Sequence, residues 1–436
     1  MQFEKNVSTS IYMVNKKFLN RFKRNNTKSQ ILFIIDSLVI NGAYLITGGI
    51  FLSGYAIYLG AGDFLTALLN SGTHYATILS LLSFFLLEKR AKRKNLLLTL
   101  NIISRTLMVI IAILPMIFRN NTINLILITI FVIASEIVWG IYRIGWTVWM
   151  MTTVPKESKT EYIYSRTFYT RLFMSVISVL VGFVLDIFNK SYTGFLVIFA
   201  FSYILSLLDV YILKQIDEPE YKISGEVSLN LKKFFEPVHI KEYRSFLIFI
   251  FLFYLGYTMA TSFTPTYMIR YLVIDYKYIS IFSFISQGVM IVTNPYWSKI
   301  ERAKGFGFTI CAGAFFTISP LLILSFVTKD TWILLFLSNI TAGIGMGGFT
   351  SLFTYRYEIM PDDDRTIYEG WYYFSFGLSV LIAPFMGKLV IDMIPEFTTS
   401  IFQHSQIQLL NLISFVLLSI LLYLFFINPS KGRNKI

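Results

Sequence analysis

Ionisable side chains are scarce in the apolar parts of this 436-residue sequence, and the few that occur there define its possible chemistry. Arg105 and Glu136 lie in successive apolar runs, and a turn at Asn120 and Asn121 would leave them equally far from it. At 1.5 Å per helical residue, Arg105 is about 15 Å from the start of its run. The two therefore reach one depth, and an Arg105 to Glu136 ion pair is expected, either structural or opened by a proton. Arg143 follows Glu136 by seven residues, two turns along a helix face that Gly140 and Thr147 continue. A guanidinium there packs against a neighbour, binds an anion, or favours the ionised form of a nearby carboxyl. Asp36, Arg171 and Asp209 fall nearer the ends of their runs, where charged tips reach water. A charge at mid-membrane costs about 3 kcal/mol on insertion scales, so such groups face partners or a wet cavity. Glu136 and Asp36 are the leading candidates for taking up and releasing a proton, with His74 as a third because imidazole titrates near neutral pH. Arg105, Glu136, Arg143 and Arg171 make the candidate buried charge network.

Neutral polar and aromatic residues supply a second set. Asn41 and Tyr44 in the first run, with Arg143, and Tyr254, Tyr257, Thr261, Gln287 and Asn294 in the second half, are the candidate cavity lining. The second half is expected to lack central charges, since Arg105 and Glu136 map by internal repeat near Cys311 and Ala342. Proton chemistry would then belong to the first half and contact with a bound solute mainly to the second. His74, His239 and His404 are scattered and Cys311 is the single cysteine, so neither a metal site nor a disulfide is expected. The glycines Gly343, Gly345, Gly347 and Gly348 lie in an apolar run without a Lys-Ser/Thr ending, which excludes a phosphate loop. No cofactor is called for, and no acid, His or Cys constellation on a substantial loop points to an enzyme.

These residues must be positioned by membrane helices. The chain is 55% hydrophobic and 14% charged, and its mean hydropathy is +0.62, too apolar for a water-exposed surface. Its apolar runs have the length of spanning helices and lack the ten-residue alternation of membrane β-strands. Helices are expected at 31–59, 64–87, 95–118, 122–151, 166–188, 191–213, 244–269, 277–298, 305–327, 331–356, 366–394 and 405–427. The fold class is all-α integral membrane, about twelve helices in two pseudo-symmetric six-helix bundles. Most of the 38 Lys and Arg residues fall in alternate loops, which places both termini in the cytoplasm and assigns the net charge of +13 to topology and lipid, not nucleic acid. No cleavable signal peptide is expected at the basic N-terminus.

The expected organisation is a basic tail over 1–30, a bundle over 31–213, a cytoplasmic linker over 214–243, a second bundle over 244–427 and a tail over 428–436. Short echoes support duplication: Val154-Pro155-Lys156 after the fourth helix against Met360-Pro361-Asp362 after the tenth, and Arg90-Ala91-Lys92 against Arg302-Ala303-Lys304. With its two halves and its basic loop after the second helix, the chain resembles the major facilitator superfamily. The family's loop usually reads Gly-x-x-x-Asp-Arg-x-Gly-Arg-Arg-Lys. Here Glu88 takes the acidic place and Lys89, Lys92 and Arg93 the basic ones, while Phe84 and Ala91 replace both glycines. Trp146-Thr147-Val148-Trp149-Met150 leading to Val154-Pro155, with Arg166 downstream, and Gly48-Gly49-Ile50-Phe51-Leu52 resemble a little-characterised bacterial branch of that superfamily. The resemblance implies a monomeric secondary transporter in a bacterial plasma membrane, moving a small-molecule substrate by alternating access, with protons or another ion as partner. The expected fifth helix carries only Gly182 and no proline, unlike standard drug antiporters, yet the many aromatics suit a small amphipathic or peptide-like cargo. Export is the leading expectation. Proton-coupled nutrient uptake is the alternative, and a membrane-embedded enzyme or scramblase is the reading from another class.

Overall fold

The computed structural model describes residues 27–72, 74–79, 87, 90, 92–155, 159–219, 231–360 and 365–427. Glu88 and Lys89, both repeat segments at 156–158 and 361–364, and nearly all of both tails lie outside these residues. Every regular element among the described residues is helical, and ten stretches are long and apolar enough to cross a membrane. In chain order the elements are α1 (Lys28–Ile46), α2 (Gly49–Tyr58), α3 (Asp63–Gly72), α4 (Lys94–Ile117), α5 (Asn121–Thr153), α6 (Lys159–Ile187), α7 (Tyr192–Lys214), α8 (Leu231–His239), α9 (Lys241–Thr261), α10 (Tyr276–Leu324), α11 (Leu334–Phe349), α12 (Ser351–Glu358), α13 (Arg365–Met393) and α14 (Ser405–Leu422).

Local chemistry explains the departures from the expected spans. The first span breaks between α1 and α2 at Gly48 and Gly49, and Gly49 adopts a φ of 50° that other residues avoid. After α9 the chain tightens into short turns around Pro265, which cannot donate to the helical ladder, and then a π turn over Tyr267–Tyr271. α10 runs on past the expected end at 298 because residues 298–304 contain no breaker. Gly305, with a φ of 79°, divides this 49-residue element into two helices. α3 with the 3₁₀ turn Tyr75–Leu79 occupies the place expected for the second span. The stretch expected as the linker, 214–243, contains α8.

Helix starts are capped as the sequence allows. Thr27 and Gln30 form a capping box before α1, with Thr27 N–H donating to Gln30 Oε1 at 2.8 Å. Asn120 Oδ1 accepts the Thr122 N–H at 2.8 Å at the start of α5. Along α5, Ile126, Ile130, Ile133 and Ile137 are exposed while Ile128, Val132, Ser135, Glu136 and Trp139 are buried. One face thus suits lipid and the other carries the polar groups inward.

The chain ends of successive spans alternate between two faces. One, the terminal face, holds the starts of α1, α4, α6 and α9. The other, the far face, holds the turns between α2 and α3, α6 and α7, and α9 and α10. At the far face the halves are tied together. Arg270 pairs with Asp63, whose other oxygen accepts the Tyr271 hydroxyl, and Lys190 pairs with Asp275 at 2.6 Å. Asp186, at the end of α6, accepts the Tyr276 and Lys277 N–H groups at 3.2 and 2.9 Å, capping α10 from across the interface. Gly54 permits this approach, since a Cβ there would stand 1.7 Å from the Tyr276 hydroxyl. Between described residues, no hydrogen bond or ion pair joins the halves on the terminal side of the Arg171 Nη1 to Gln287 Oε1 bond, 3.1 Å long.

Candidate functional site

Three spans place the centre of the first-half interior. α4 brings Arg105, α5 brings Glu136 and Trp139, and α1 brings Tyr44. The Arg105 guanidinium carbon lies 4.1 Å from the Trp139 ring centroid and 5.1 Å from that of Tyr44, and the two rings are stacked at 5.6 Å. A desolvated cation over such rings is worth roughly 2 kcal/mol. Arg105 Nη2 donates to Ser104 Oγ at 3.1 Å, and Ser104 bonds Ser135 across to α5 at 3.0 Å. Glu136 Oε2 accepts the Tyr44 hydroxyl at 3.2 Å. The expected direct ion pair is not formed. Arg105 and Glu136 feel each other electrostatically, but Tyr44 touches both and stands between them. Sequence placed them at one depth but could not see an aromatic ring from a third helix entering the gap.

Toward the terminal face the interior holds two more acids. Asp36 accepts from Trp146 Nε1 at 2.8 Å, and Asp209 accepts from Asn101 Nδ2 at 2.6 Å. Arg166 donates to Ser37 Oγ at 3.1 Å and lies over the Trp146 ring at 5.3 Å. Asp36, a leading proton-carrier candidate, and Asp209, both expected near span ends where a charged tip reaches water, are completely buried.

The remaining candidates divide. Arg143 is half-buried, 6.0 Å from the Tyr373 ring of the second half, and close enough to His74 and Glu136 for charge interaction. Its carbonyl accepts the Thr147 hydroxyl at 2.8 Å, while its guanidinium makes no hydrogen bond or ion pair with any described residue. His74 is exposed, and its ring sits 5.5 Å from Phe376 of α13 in the second half. Arg171 is remote from this group and bonds Gln287. Tyr254 meets Phe376 edge-on at 4.5 Å, and Tyr257 stacks on Phe253 at 6.0 Å. The Thr261 hydroxyl donates to its own helix at Tyr257, and Asn41 likewise to Ser37. Asn294 is half-buried. Of the loop motif, Lys92 is exposed and Arg93 is buried. The Arg93 and Lys94 N–H groups both donate to Glu218 Oε1, the latter at 2.7 Å, so an acid from after α7 caps α4.

The second half carries a charge pair that the sequence reading did not name, placed near the ends of two spans and away from the central depth of Arg105 and Glu136. Arg356 of α12 lies 3.2 Å from Glu369 of α13. Its guanidinium carbon is 3.9 Å from the Tyr372 ring centroid and 4.9 Å from that of Phe353. Beside it is a cavity of about 110 Å³ lined by Tyr254, Phe349, Leu352, Phe353, Arg356 and Tyr372. The available signal was a lone acid among Tyr368, Trp371, Tyr372 and Tyr373. No group of three or more His, Cys, Asp and Glu among the described residues has the arrangement of a metal site.

The helical architecture, with ten stretches long and apolar enough to span a bilayer, is that of a polytopic membrane protein. The model of the Major Facilitator Superfamily matches residues 169–384 and 248–436, together more than half of the chain, and the chain belongs to that family. It is therefore a multi-pass membrane transporter of a small-molecule substrate and not an enzyme. No curated protein matches it. Among solved structures it is similar to the nucleoside transporter NupG, at 16% identity and a TM-score of 0.66, covering 92% of this chain and 100% of that one. It is also similar to a POT family transporter in complex with a thioalcohol-conjugated peptide, at 12% identity and a TM-score of 0.66, covering 92% of this chain and 96% of that one. At these identities the likeness concerns the fold.

Proposed function

We propose that the protein is a proton-coupled secondary transporter that exports a small amphipathic or peptide-like molecule by alternating access. It would act as a monomer in a bacterial plasma membrane, its terminal face in the cytoplasm and its two bundles, over 31–213 and 244–427, moving against each other. The observation that carries the reading is the asymmetry of the interior. The first half buries Glu136, Asp36 and Asp209 on neutral hydrogen-bond donors, so each acid can change charge without breaking an ion pair. Glu136 and Asp36 are the leading proton carriers in this scheme, with His74 and Arg143 facing Phe376 and Tyr373 of the second half. Tyr254, Tyr257 and the neighbouring aromatics of the second half supply the apolar contact an amphipathic cargo needs.

The test is flux in proteoliposomes of fixed orientation under an imposed proton gradient, with amphipathic amines, short peptides and nucleosides as candidate cargoes. Proton-driven movement away from the terminal face is expected. Flux indifferent to the gradient overturns proton coupling, and flux only toward the terminal face replaces export with uptake.

A further inference from the structure

Asp36 on α1 and Asp209 on α7 have no exposed surface, and their carboxyl groups lie within hydrogen-bonding reach of each other. Each has one oxygen occupied by a neutral donor: the Trp146 indole at 2.8 Å for Asp36 Oδ2, and the Asn101 amide at 2.6 Å for Asp209 Oδ2. The two Oδ1 atoms receive no N–H or O–H from any other residue.

The surroundings leave this contact uncompensated by ion pairs. Facing it are Asn101 and Arg105 from α4, Tyr142 and Trp146 from α5, Tyr162 and Arg166 from α6, and Ser37 from α1. Neither arginine bonds the acids. Arg166 is held by Ser37 and the Trp146 ring, and Arg105 by Ser104 and the rings of Tyr44 and Trp139. An ionised carboxyl is acceptor only. Two ionised groups in this geometry would repel through a medium of low dielectric and leave both Oδ1 atoms orphaned. One proton between them removes one charge and completes an O–H···O⁻ hydrogen bond, among the strongest that side chains make.

We propose that Asp36 and Asp209 form a one-proton site, a carboxyl–carboxylate pair bridging α1 and α7 and separate from Glu136. The proton binds as a shared hydrogen and leaves to water, after which the two like charges drive the carboxyls apart. The pair titrates as a unit, so its proton belongs to neither residue alone. Its occupancy thereby becomes a mechanical tie between the first and last spans of the half. The inference deepens the proton-coupled reading above, but it is measured without transport. Failure of gradient-driven flux would overturn that reading and leave this one standing.

Infrared spectroscopy of the full chain in detergent at neutral pH reads a protonated carboxyl as a C=O stretch. Labelling aspartate with 13C at the side-chain carboxyl identifies the residue type. An aspartate band that shifts with the label is expected, and it should be lost in both Asp36→Asn and Asp209→Asn, where an amide N–H replaces the shared proton. Absence of a label-sensitive band from the unsubstituted protein overturns the proposal, and that measurement needs no variant to fold. Persistence of the band in either folded variant also overturns it, since a proton held by one acid alone is not shared.

Discussion

Both halves bury a guanidinium among aromatic rings, yet they treat its charge differently. Arg356 has its carboxylate, Glu369, at 3.2 Å, whereas Arg105 reaches Glu136 only through Tyr44. The second-half pair is closed: neither member can change charge without leaving the other, buried or largely buried, without its counter-charge. In the first half three acids rest on an indole, an amide and a phenol, and the arginines rest on rings and hydroxyls. Neutral donors bond a carboxylate or a carboxylic acid, so they tolerate a change of charge that an ion pair resists. On the proposed reading, the contrast gives the second-half pair a structural task and the first-half acids the titrating one.

The largest effect should come from opening the closed pair. Arg356→Ala takes the counter-charge from a largely buried Glu369, a loss of up to about 3 to 5 kcal/mol in comparable buried pairs. Thermal unfolding in detergent should show that loss, and Arg356→Met with Glu369→Gln should recover most of it. A double variant no more stable than Arg356→Ala would remove the distinction between the halves. Arg105→Ala should cost less stability, about 2 kcal/mol from the lost cation–π contact. Its coupling to Glu136 in a double-mutant cycle should be below about 1 kcal/mol, since no direct bond joins them. Strong coupling would make the two guanidiniums equivalent.

An intermediate effect is expected where the halves meet. Ala at Gly54 would drive its Cβ into the Tyr276 hydroxyl across the interface, whereas Ala at Gly313 would meet the backbone at Gly348 within the second half. Gly313→Ala should therefore destabilise the second half by roughly 1 to 3 kcal/mol. Gly54→Ala should loosen the far-face closure, seen as faster labelling of a cysteine placed at Asn70, with a smaller change in unfolding temperature. Equal labelling rates with and without the alanine would show that this contact does not hold the face shut.

The membrane class, the helices and the depth of Arg105 and Glu136 were legible because hydropathy and helical rise are one-dimensional properties. The break at Gly48 and Gly49 was not, since an apolar run containing two glycines reads equally well as a continuous helix until the positive φ of Gly49 is seen. Asp209 and Arg356 escaped for another reason. A charge near the end of a span can reach water or turn inward, and only the neighbouring helix decides which; Asn101 and Glu369 decide it here. Glu218 shows the same limit in a loop, where a residue far along the chain caps the start of α4.

The finest test of the comparison concerns Tyr44, the residue that separates Arg105 from Glu136. Tyr44→Phe keeps the ring beneath the guanidinium and removes only the hydroxyl that bonds Glu136 Oε2 at 3.2 Å. A hydrogen bond to a charged acceptor contributes about 1.5 to 3 kcal/mol, and one to a neutral acid about 1 kcal/mol. The stability lost by Tyr44→Phe therefore reports the charge state of Glu136 in the resting protein. A loss near 1 kcal/mol, matched by Glu136→Gln alone being nearly neutral, would mean that Glu136 rests protonated and Arg105 stands as an uncompensated cation held by its rings. A loss toward the upper value, with Glu136→Gln costly, would mean that the acid rests ionised and that the tyrosine relays its charge to Arg105. The second outcome would narrow the difference between the halves, because the first half would then hold an ion pair as well, extended by one phenol.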